Sequence, residues 1–202
     1  MPREWAWCER QCRGADLVSA AGDAVAESLI HSYGLFWSEQ DVYWGKGRQR
    51  GQLLGVPANG RRGDPIDFRA QTGIYVLYAD YDLVYVGQAG SGKAKLFARL
   101  KSHRRDHLAR RWNRFSWFGT RRVLGSGQLG QVTMRHHPTL ASILHQFEAV
   151  LIAASEPPLN RHGGNFGSDA TRYLQVRDDR LGLTQEQMLR RLCEANDIDW
   201  RE

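Results

Sequence analysis

The sequence contains little cysteine, with three cysteines among 202 residues. Three thiols are too few for a disulfide framework, and their scarcity fits a reducing compartment. Cys8 and Cys12 could share one face of a helix, but no nearby pair of His or Cys residues completes a zinc site. The sequence therefore excludes a disulfide-stabilised scaffold and predicts free thiols.

Long apolar runs are missing as well. The longest one is far shorter than the roughly 20 residues that span a bilayer, so no membrane-spanning helix is predicted. The first residues include Glu4, Glu9 and Asp16 and lack the basic-then-apolar layout of a signal peptide. We therefore expect a cytoplasmic protein. The sequence also has no internal repeat and no low-complexity segment.

Basic residues are in excess. The chain has 28 Lys and Arg against 22 Asp and Glu, which gives a net charge of +6, and its pI is near 9.5. This balance favours a polyanionic partner. A hydrophobic fraction of 42% over 202 residues is enough for one domain with a sizeable core, or one domain plus an arm.

The most regular stretch is a predicted β-hairpin. Residues 73–78 and 83–87 are apolar and aromatic, and the polar turn 79–82 separates them. A helical pattern over residues 94–111 follows a Gly/Ser-rich turn. Residues 115–118 are predicted to form a third strand.

The part before the hairpin, residues 1–71, is predicted to be an N-terminal extension. Leu17, Val18, Ala21, Val25 and Leu29 recur at helical spacing, so residues 1–35 are expected to be mostly helical. Residues 36–71 are rich in Gly and Arg and are expected to form loops or short strands. This Gly/Arg-rich arm could grip phosphates or could be a solvated linker, and the sequence does not decide between these two interpretations.

The clearest helix covers residues 139–155 and ends before two prolines. Leu140, Leu144, Phe147 and Leu151 belong to its broad apolar stripe, and Glu148 lies at the edge of that stripe. A carboxylate in this position needs a cation partner, which could be a metal ion or an arginine. Farther on, residues 173–176 are predicted to form a short strand, and a last helix is predicted to begin at residue 184 with a capping box.

Five ionisable groups are expected to converge on the sheet: Tyr75, Tyr85, Arg99, His103 and Glu148. One carboxylate can hold one divalent ion together with water, and an arginine can grip a phosphate with two hydrogen bonds. A tyrosine with its free pKa of about 10 needs a neighbouring cation to act as a base at neutral pH. The set fits metal-assisted hydrolysis of a phosphodiester.

The chain resembles the GIY-YIG nucleases. Gly73-Ile74-Tyr75 matches the first family motif, and Tyr85-Val86-Gly87 matches the second with valine in place of isoleucine. The later elements follow in the family's order: Arg99, His103, Glu148 and Asn160. The resemblance covers about residues 72–165 and implies an α+β core with a small three-stranded antiparallel sheet flanked by helices. Residues 166–202 would then form a C-terminal segment.

The resemblance also implies roles for the matched residues. Tyr75 would activate the attacking water, Tyr85 would position the phosphate or assist proton transfer, and Arg99 would stabilise the scissile phosphate. His103 would assist proton transfer or contact the phosphate, and Asn160 would support the site or contact the nucleic acid.

Glu148 would bind one divalent ion per active site, Mg²⁺ or Mn²⁺. The implied activity is that of a DNA endonuclease, and the absence of a helix-turn-helix or zinc finger favours a compact restriction or phage-defence enzyme. Such an enzyme is expected to cut double-stranded DNA as a homodimer. DNA contacts are expected from a set of basic residues: Lys46, Arg48, Arg50, Lys93, Lys95, Lys101, Arg104, Arg110 and Arg111.

Three alternatives remain at this point. The first two are a repair or mobile-element nuclease that recognises DNA structure, and a nucleic-acid-binding module without catalysis. The third is a P-loop NTPase, because residues 87–93 have the glycine and lysine spacing of that motif. Ala94 stands where a P-loop needs Ser or Thr, and the preceding strand is predicted to pair in a hairpin, so we prefer the nuclease.

Overall fold

The structure, a computed structural model, describes residues 28–59, 63–131 and 138–195. The fold belongs to the α+β class, as predicted. Ten elements follow one another along the chain: β1 Ser32–Ser38, β2 Leu54–Pro57, β3 Ile66–Asp67, β4 Gly73–Ala79, β5 Asp82–Ala89, α1 Leu96–His103, β6 Arg114–Gly119, α2 Leu140–Ser155, β7 Thr171–Gln175 and α3 Gln185–Ala195. None of the helices in these described ranges is long and apolar enough to cross a membrane.

The prediction of a three-stranded sheet is wrong. The described strands form one seven-stranded sheet in the order β3-β2-β7-β1-β6-β4-β5. It is mixed, because β1 and β7 are parallel while the other neighbours are antiparallel. The predicted hairpin and third strand are present as β4, β5 and β6 at one end. The sheet therefore runs across both predicted boundaries, at residues 71/72 and 165/166.

Strand β1 explains why the sheet is larger. The sequence predicts a helix up to residue 35 and loops or short strands from residue 36, but residues 32–38 form one strand that pairs with β6. This strand buries Trp37, which is T-shaped against Trp117. Without β1, the aromatic edge of β6 would stay unpaired and open to aggregation. The predicted helix therefore does not include residues 32–35, and Leu17, Val18, Ala21 and Val25 lie outside the described residues.

The two faces of the sheet carry different helices, because side chains alternate along a strand. Tyr75 and Leu77 of β4 pack in one cluster with Leu100 of α1. We call this side the α1 face. Val76 of β4 packs in a second cluster with Ala149 of α2. We call this side the α2 face.

Helix α1 is shorter than predicted. It ends at His103, and the chain continues in turns up to residue 110. Asp106 explains the early end, because its side chain accepts hydrogen bonds from Leu108 N at 2.8 Å and from the His103 ring at 2.7 Å. Such local bonds from a side chain compete with the helical pattern. His107 and Arg110 therefore do not extend the helical flank that carries Arg99.

Helix α2 has the predicted extent, and Thr139 caps it by accepting a hydrogen bond from Ser142 N at 3.2 Å. Its orientation differs from what the pattern suggests. The helix packs on the sheet with Ala149 and Ala153, while the large apolar residues Leu140, Leu144, Phe147 and Leu151 are exposed. The small side chains allow the helix to lie close to the sheet. The alanine side is therefore buried, and the larger apolar side chains point outward.

The C-terminal predictions are confirmed. The predicted strand 173–176 corresponds to β7. The capping box before α3 is complete, since Thr184 N donates to Gln187 Oε1 at 2.9 Å and Gln187 N donates to Thr184 Oγ1 at 3.1 Å.

Candidate active site

Four of the sequence-predicted site residues meet on the α1 face. Tyr75 lies on β4 opposite Gly87, and Tyr85 lies on β5 opposite Leu77, so both tyrosines point to the same side of the sheet. Arg99 and His103 are one turn apart on α1, which packs over that side. The ring centroids of Tyr85 and His103 are 4.9 Å apart. The pairing of two strands and one helix therefore brings these side chains together.

The motif glycines have steric reasons to be glycine. A Cβ atom on Gly87 would overlap the ring and hydroxyl of Tyr75. Gly73 has a positive φ of 139°, and a Cβ there would overlap the carbonyl oxygen of Phe118 on β6. Gly87 thus leaves the space in which Tyr75 turns its hydroxyl towards α1, and Gly73 allows β4 to begin close to β6.

The hydroxyl of Tyr75 is the centre of a hydrogen-bond chain. It lies 2.7 Å from His103 Nε2 and accepts a hydrogen bond from Arg99 Nε at 3.3 Å. His103 Nδ1 lies 2.7 Å from Asp106 Oδ2. A carboxylate can only accept, so Nδ1 carries a hydrogen, which leaves Nε2 as the nitrogen that pairs with the tyrosine hydroxyl. The chain of hydrogen bonds runs from Arg99 through Tyr75 and His103 to Asp106.

Asp106 is a member of the cluster that the sequence analysis did not select. Two signals could have identified it: it is the only acid between Lys93 and Arg114, and it follows His103 by three residues. Burial acts to raise the pKa of the Asp106 carboxyl, but the Leu108 amide and the His103 ring outweigh burial, and the pKa is lower than usual. The carboxyl group is therefore ionised at neutral pH and keeps a hydrogen on His103 Nδ1.

Tyr75 is fully buried, with 0% of its surface exposed. Burial raises its pKa above the usual 10.0, and the hydrogen bond from Arg99 offsets this only in part. The prediction from the family was that Tyr75 activates water, which requires a lowered pKa and access to water. In the structure the Tyr75 hydroxyl contacts Arg99 and His103, and its activation of water stays a prediction from the resemblance.

The side of the cluster that solvent can reach consists of Arg99, Tyr85 and Asp106, which are all partly exposed. The Tyr75 hydroxyl raises the pKa of Arg99 still further, so its guanidinium group stays charged. Its Nε atom donates to the Tyr75 hydroxyl at 3.3 Å, and the Tyr85 hydroxyl also interacts with the guanidinium group. A guanidinium group has five N–H donors, so Arg99 can bind an oxyanion while Nε keeps the side chain in place.

Glu148 and Asn160 are not part of this cluster. Glu148 is exposed on α2, next to Ala149, which packs on the α2 face. It makes no ion pair with any described residue, so the salt bridge considered as its alternative role is not found in these ranges. Asn160 lines a cleft of about 320 Å³ that also includes Tyr33 and Ala153 of the α2 face.

The fit to a divalent metal ion is poor in this arrangement. Among residues 28–59, 63–131 and 138–195, no group of three His, Cys, Asp or Glu residues could hold a metal ion. The one predicted ligand, Glu148, and the Tyr75 cluster lie on opposite faces of the sheet. A divalent ion held by Glu148 and water would therefore lie apart from Arg99, and that metal site stays a prediction from the resemblance.

The predicted DNA-binding residues fall into three groups. Lys46, Arg48 and Arg50 are exposed on the arm beside α1. Two residues of α1 face that arm: Lys101 Nζ donates to Trp44 O at 2.7 Å, and Arg104 lies 4.6 Å from the centre of the Trp44 ring. The remaining four flank α1 in sequence, before and after it: Lys93, Lys95, Arg110 and Arg111.

No family model, no curated protein and no solved structure matches the chain.

The sheet topology argues against the P-loop alternative. The strand before the Gly/Lys stretch, β5, is an edge strand that pairs antiparallel with β4, whereas a P-loop follows a strand of a parallel sheet. The NTPase hypothesis is therefore not pursued.

Proposed function

We propose that the protein is a nuclease that hydrolyses phosphodiester bonds of DNA on the α1 face. The observation that carries the proposal is the guanidinium group of Arg99, held at Nε by a buried tyrosine hydroxyl at 3.3 Å and open to solvent on its other side. The resemblance of the 73–103 region to the GIY-YIG nucleases and the basic surroundings support the same function.

The chemistry assigned to the site is charge stabilisation. When water attacks the phosphorus and the bond to the leaving oxygen breaks, negative charge grows on the phosphate oxygens. Arg99 donates hydrogen bonds to those oxygens, and Tyr75, His103 and Asp106 keep it aligned. Tyr85 presents the hydroxyl that contacts the substrate, since the Tyr75 hydroxyl is enclosed. Dependence on a divalent ion bound by Glu148 remains a prediction from the resemblance.

The biological role that we favour is restriction or phage defence, in which a homodimer cuts both strands, because the given sequence shows no helix-turn-helix or zinc-finger pattern. Repair or mobile-element processing would instead give nicks at branched or single-stranded DNA. The ends of the products distinguish these two roles.

The test is cleavage of supercoiled plasmid by the purified protein with Mg²⁺, with Mn²⁺ and with EDTA. We expect divalent-dependent cleavage, and a loss of about 10²- to 10³-fold in Arg99→Ala, which is typical of removing one donor to the transition state. Arg161→Ala, which removes an exposed arginine from the α2 face, is the matched control and should cleave like the wild type. Equal rates for Arg99→Ala and the wild type would remove Arg99 from catalysis.

A second candidate is a nucleic-acid-binding module without hydrolysis. The observation that favours it is the separation of Glu148 from the Tyr75 cluster by the sheet. Tight DNA binding without cleavage under any divalent ion would support this candidate.

A further inference from the structure

Two shallow depressions meet on the outer surface of α1. The first holds about 500 Å³ between the arm and α1, and its lining includes Arg48, Arg50, Arg69 and Lys101. The second holds about 490 Å³ and is lined by Lys101 together with Ala98, Ser102, Arg105 and Asp106. Lys101 lines both, so the two depressions adjoin, and we call them together the groove. The groove begins at the arm, crosses α1 and ends at Asp106, which is part of the candidate active site.

The arm is firmly attached to α1, so its arginines have a defined position. The Trp44 ring stacks on the Phe97 ring with centroids 5.3 Å apart. Gly51 lies so close to Phe97 that a Cβ atom would overlap the ring. Lys101 Nζ adds a hydrogen bond of 2.7 Å to Trp44 O. These contacts fix the arm against the flank of α1 that points away from Arg99 and His103.

The charge of the groove is almost entirely positive. Arg48, Arg50 and Arg105 are exposed and form no ion pair with any residue that the structure describes. Arg69 is partly neutralised by Asp67 at 3.2 Å. The only acid in the lining, Asp106, is bound to His103 at 2.7 Å.

The floor of the groove is smooth where it crosses the helix. Ala98 and Ser102 are exposed and lie one turn apart on the outer side of α1. Small side chains at these two positions let a chain-like ligand lie directly on the helix.

We infer that this groove binds the phosphodiester backbone of one nucleic-acid strand and leads it to Arg99. Three arginines without acidic partners among the described residues, spread along two open depressions, suit a repeating anion rather than a small molecule. The inference builds on the proposed function, because the groove ends at the same cluster. Arg48 and Arg50 hold the strand at the arm, and Arg105 holds it where it passes over α1.

The test compares two triple variants that lose the same charge. The groove variant is Arg48→Ala, Arg50→Ala and Arg105→Ala. The control variant is Arg161→Ala, Arg172→Ala and Arg191→Ala, which removes exposed arginines outside the groove. Binding of a fluorescein-labelled DNA duplex and of its single strand is measured in EDTA over a series of salt concentrations, so that cleavage does not interfere. Melting temperatures of both variants check that they fold.

We expect the groove variant to lose affinity by at least about tenfold. The negative slope of log K against log salt should become less steep by about 2 to 3, which is the value for three lost phosphate contacts. The control variant should keep the slope of the wild type. Equal slopes in both triple variants would overturn the inference that the groove binds the backbone, even if the protein cleaves DNA. A reduced slope in the groove variant alone would support the groove, even if no cleavage is found, so the two proposals fail separately.

Discussion

The two faces of the sheet differ in how they hold the predicted site residues. On the α1 face, Tyr75 and His103 are 0% and 3% exposed, and both are fully engaged in one hydrogen-bond chain. On the α2 face, Glu148 is exposed without an ion pair to a described residue. A buried polar chain is stable only when every member has a partner, so it fixes geometry strongly. The comparison indicates that the predicted residues on the α1 face have a defined geometry, whereas Glu148 does not.

The largest expected effect comes from filling the space beside Tyr75. In Gly87→Ala the new methyl group overlaps the Tyr75 ring, so the ring must move and the chain through Arg99 and His103 breaks. We expect the free energy of unfolding to fall by about 1–3 kcal/mol, because overpacking forces side chains off their preferred rotamers. Thermal unfolding measures this loss.

Gly92→Ala is the control for that substitution. A Cβ atom on Gly92 meets no atom within 4 Å, so its melting temperature should stay within about 1 °C of the wild type. Equal melting temperatures for the two variants would mean that the Tyr75 hydroxyl does not depend on the glycine of the second motif.

A smaller effect is expected from Asp106→Asn, and it depends on pH. The Asp106 pKa is lower in the folded protein than its usual 3.8, so its stabilisation is present above pH 3.8 and is lost as the pH falls through the folded value. The variant should melt about 2–4 °C lower than the wild type at pH 7, which corresponds to about 1 kcal/mol for a chain of this length. The difference should shrink below pH 3.8.

Asp64→Asn is the matched substitution at an exposed carboxylate, and it should change the melting temperature little at any pH. If the melting temperature of Asp106→Asn stays below that of the wild type by the same amount down to strongly acidic pH, the Asp106 carboxylate does not act through its charge.

The sequence was informative where the site is local. Residues 73–106 supply all five members of the cluster, and the hairpin and α1 that position them follow from two apolar and aromatic runs, a polar turn and helical spacing. The outer strands could not be predicted in the same way. Strand β1 reaches β6 across more than 70 residues, and β7 joins it from the C-terminal segment, so their pairing depends on packing between distant parts of the chain.

Asp106 and the orientation of α2 show two further limits of prediction from the sequence. An acid within a run of cations looks like ordinary surface charge until the end of α1 turns it back towards His103. The apolar pattern of α2 predicts that Leu144 and Phe147 face the core, but the close approach of Ala149 and Ala153 to the sheet turns them outward. Neither feature can be read from residue spacing alone.

The smallest effect on stability is expected from Glu148→Ala. The side chain is exposed and has no ion pair with a described residue, so its loss should leave the melting temperature and DNA affinity unchanged. The resemblance nevertheless predicts lost cleavage for this variant. Loss of cleavage with an unchanged melting temperature would show that the α2 face takes part in the reaction, whereas full activity would confine the reaction to the α1 face.

The central claim is that Tyr75 acts through Arg99 rather than on water. The most direct measurement is a double-mutant cycle on single-turnover DNA cleavage with Tyr75→Phe, Arg99→Ala and the variant that carries both. If Tyr75 only positions Arg99, the double variant should cleave at about the rate of Arg99→Ala alone, within about threefold. The account is contradicted if the two losses multiply. The double variant would then be slower than Arg99→Ala by the same factor by which Tyr75→Phe alone slows cleavage, and Tyr75 would have an independent role.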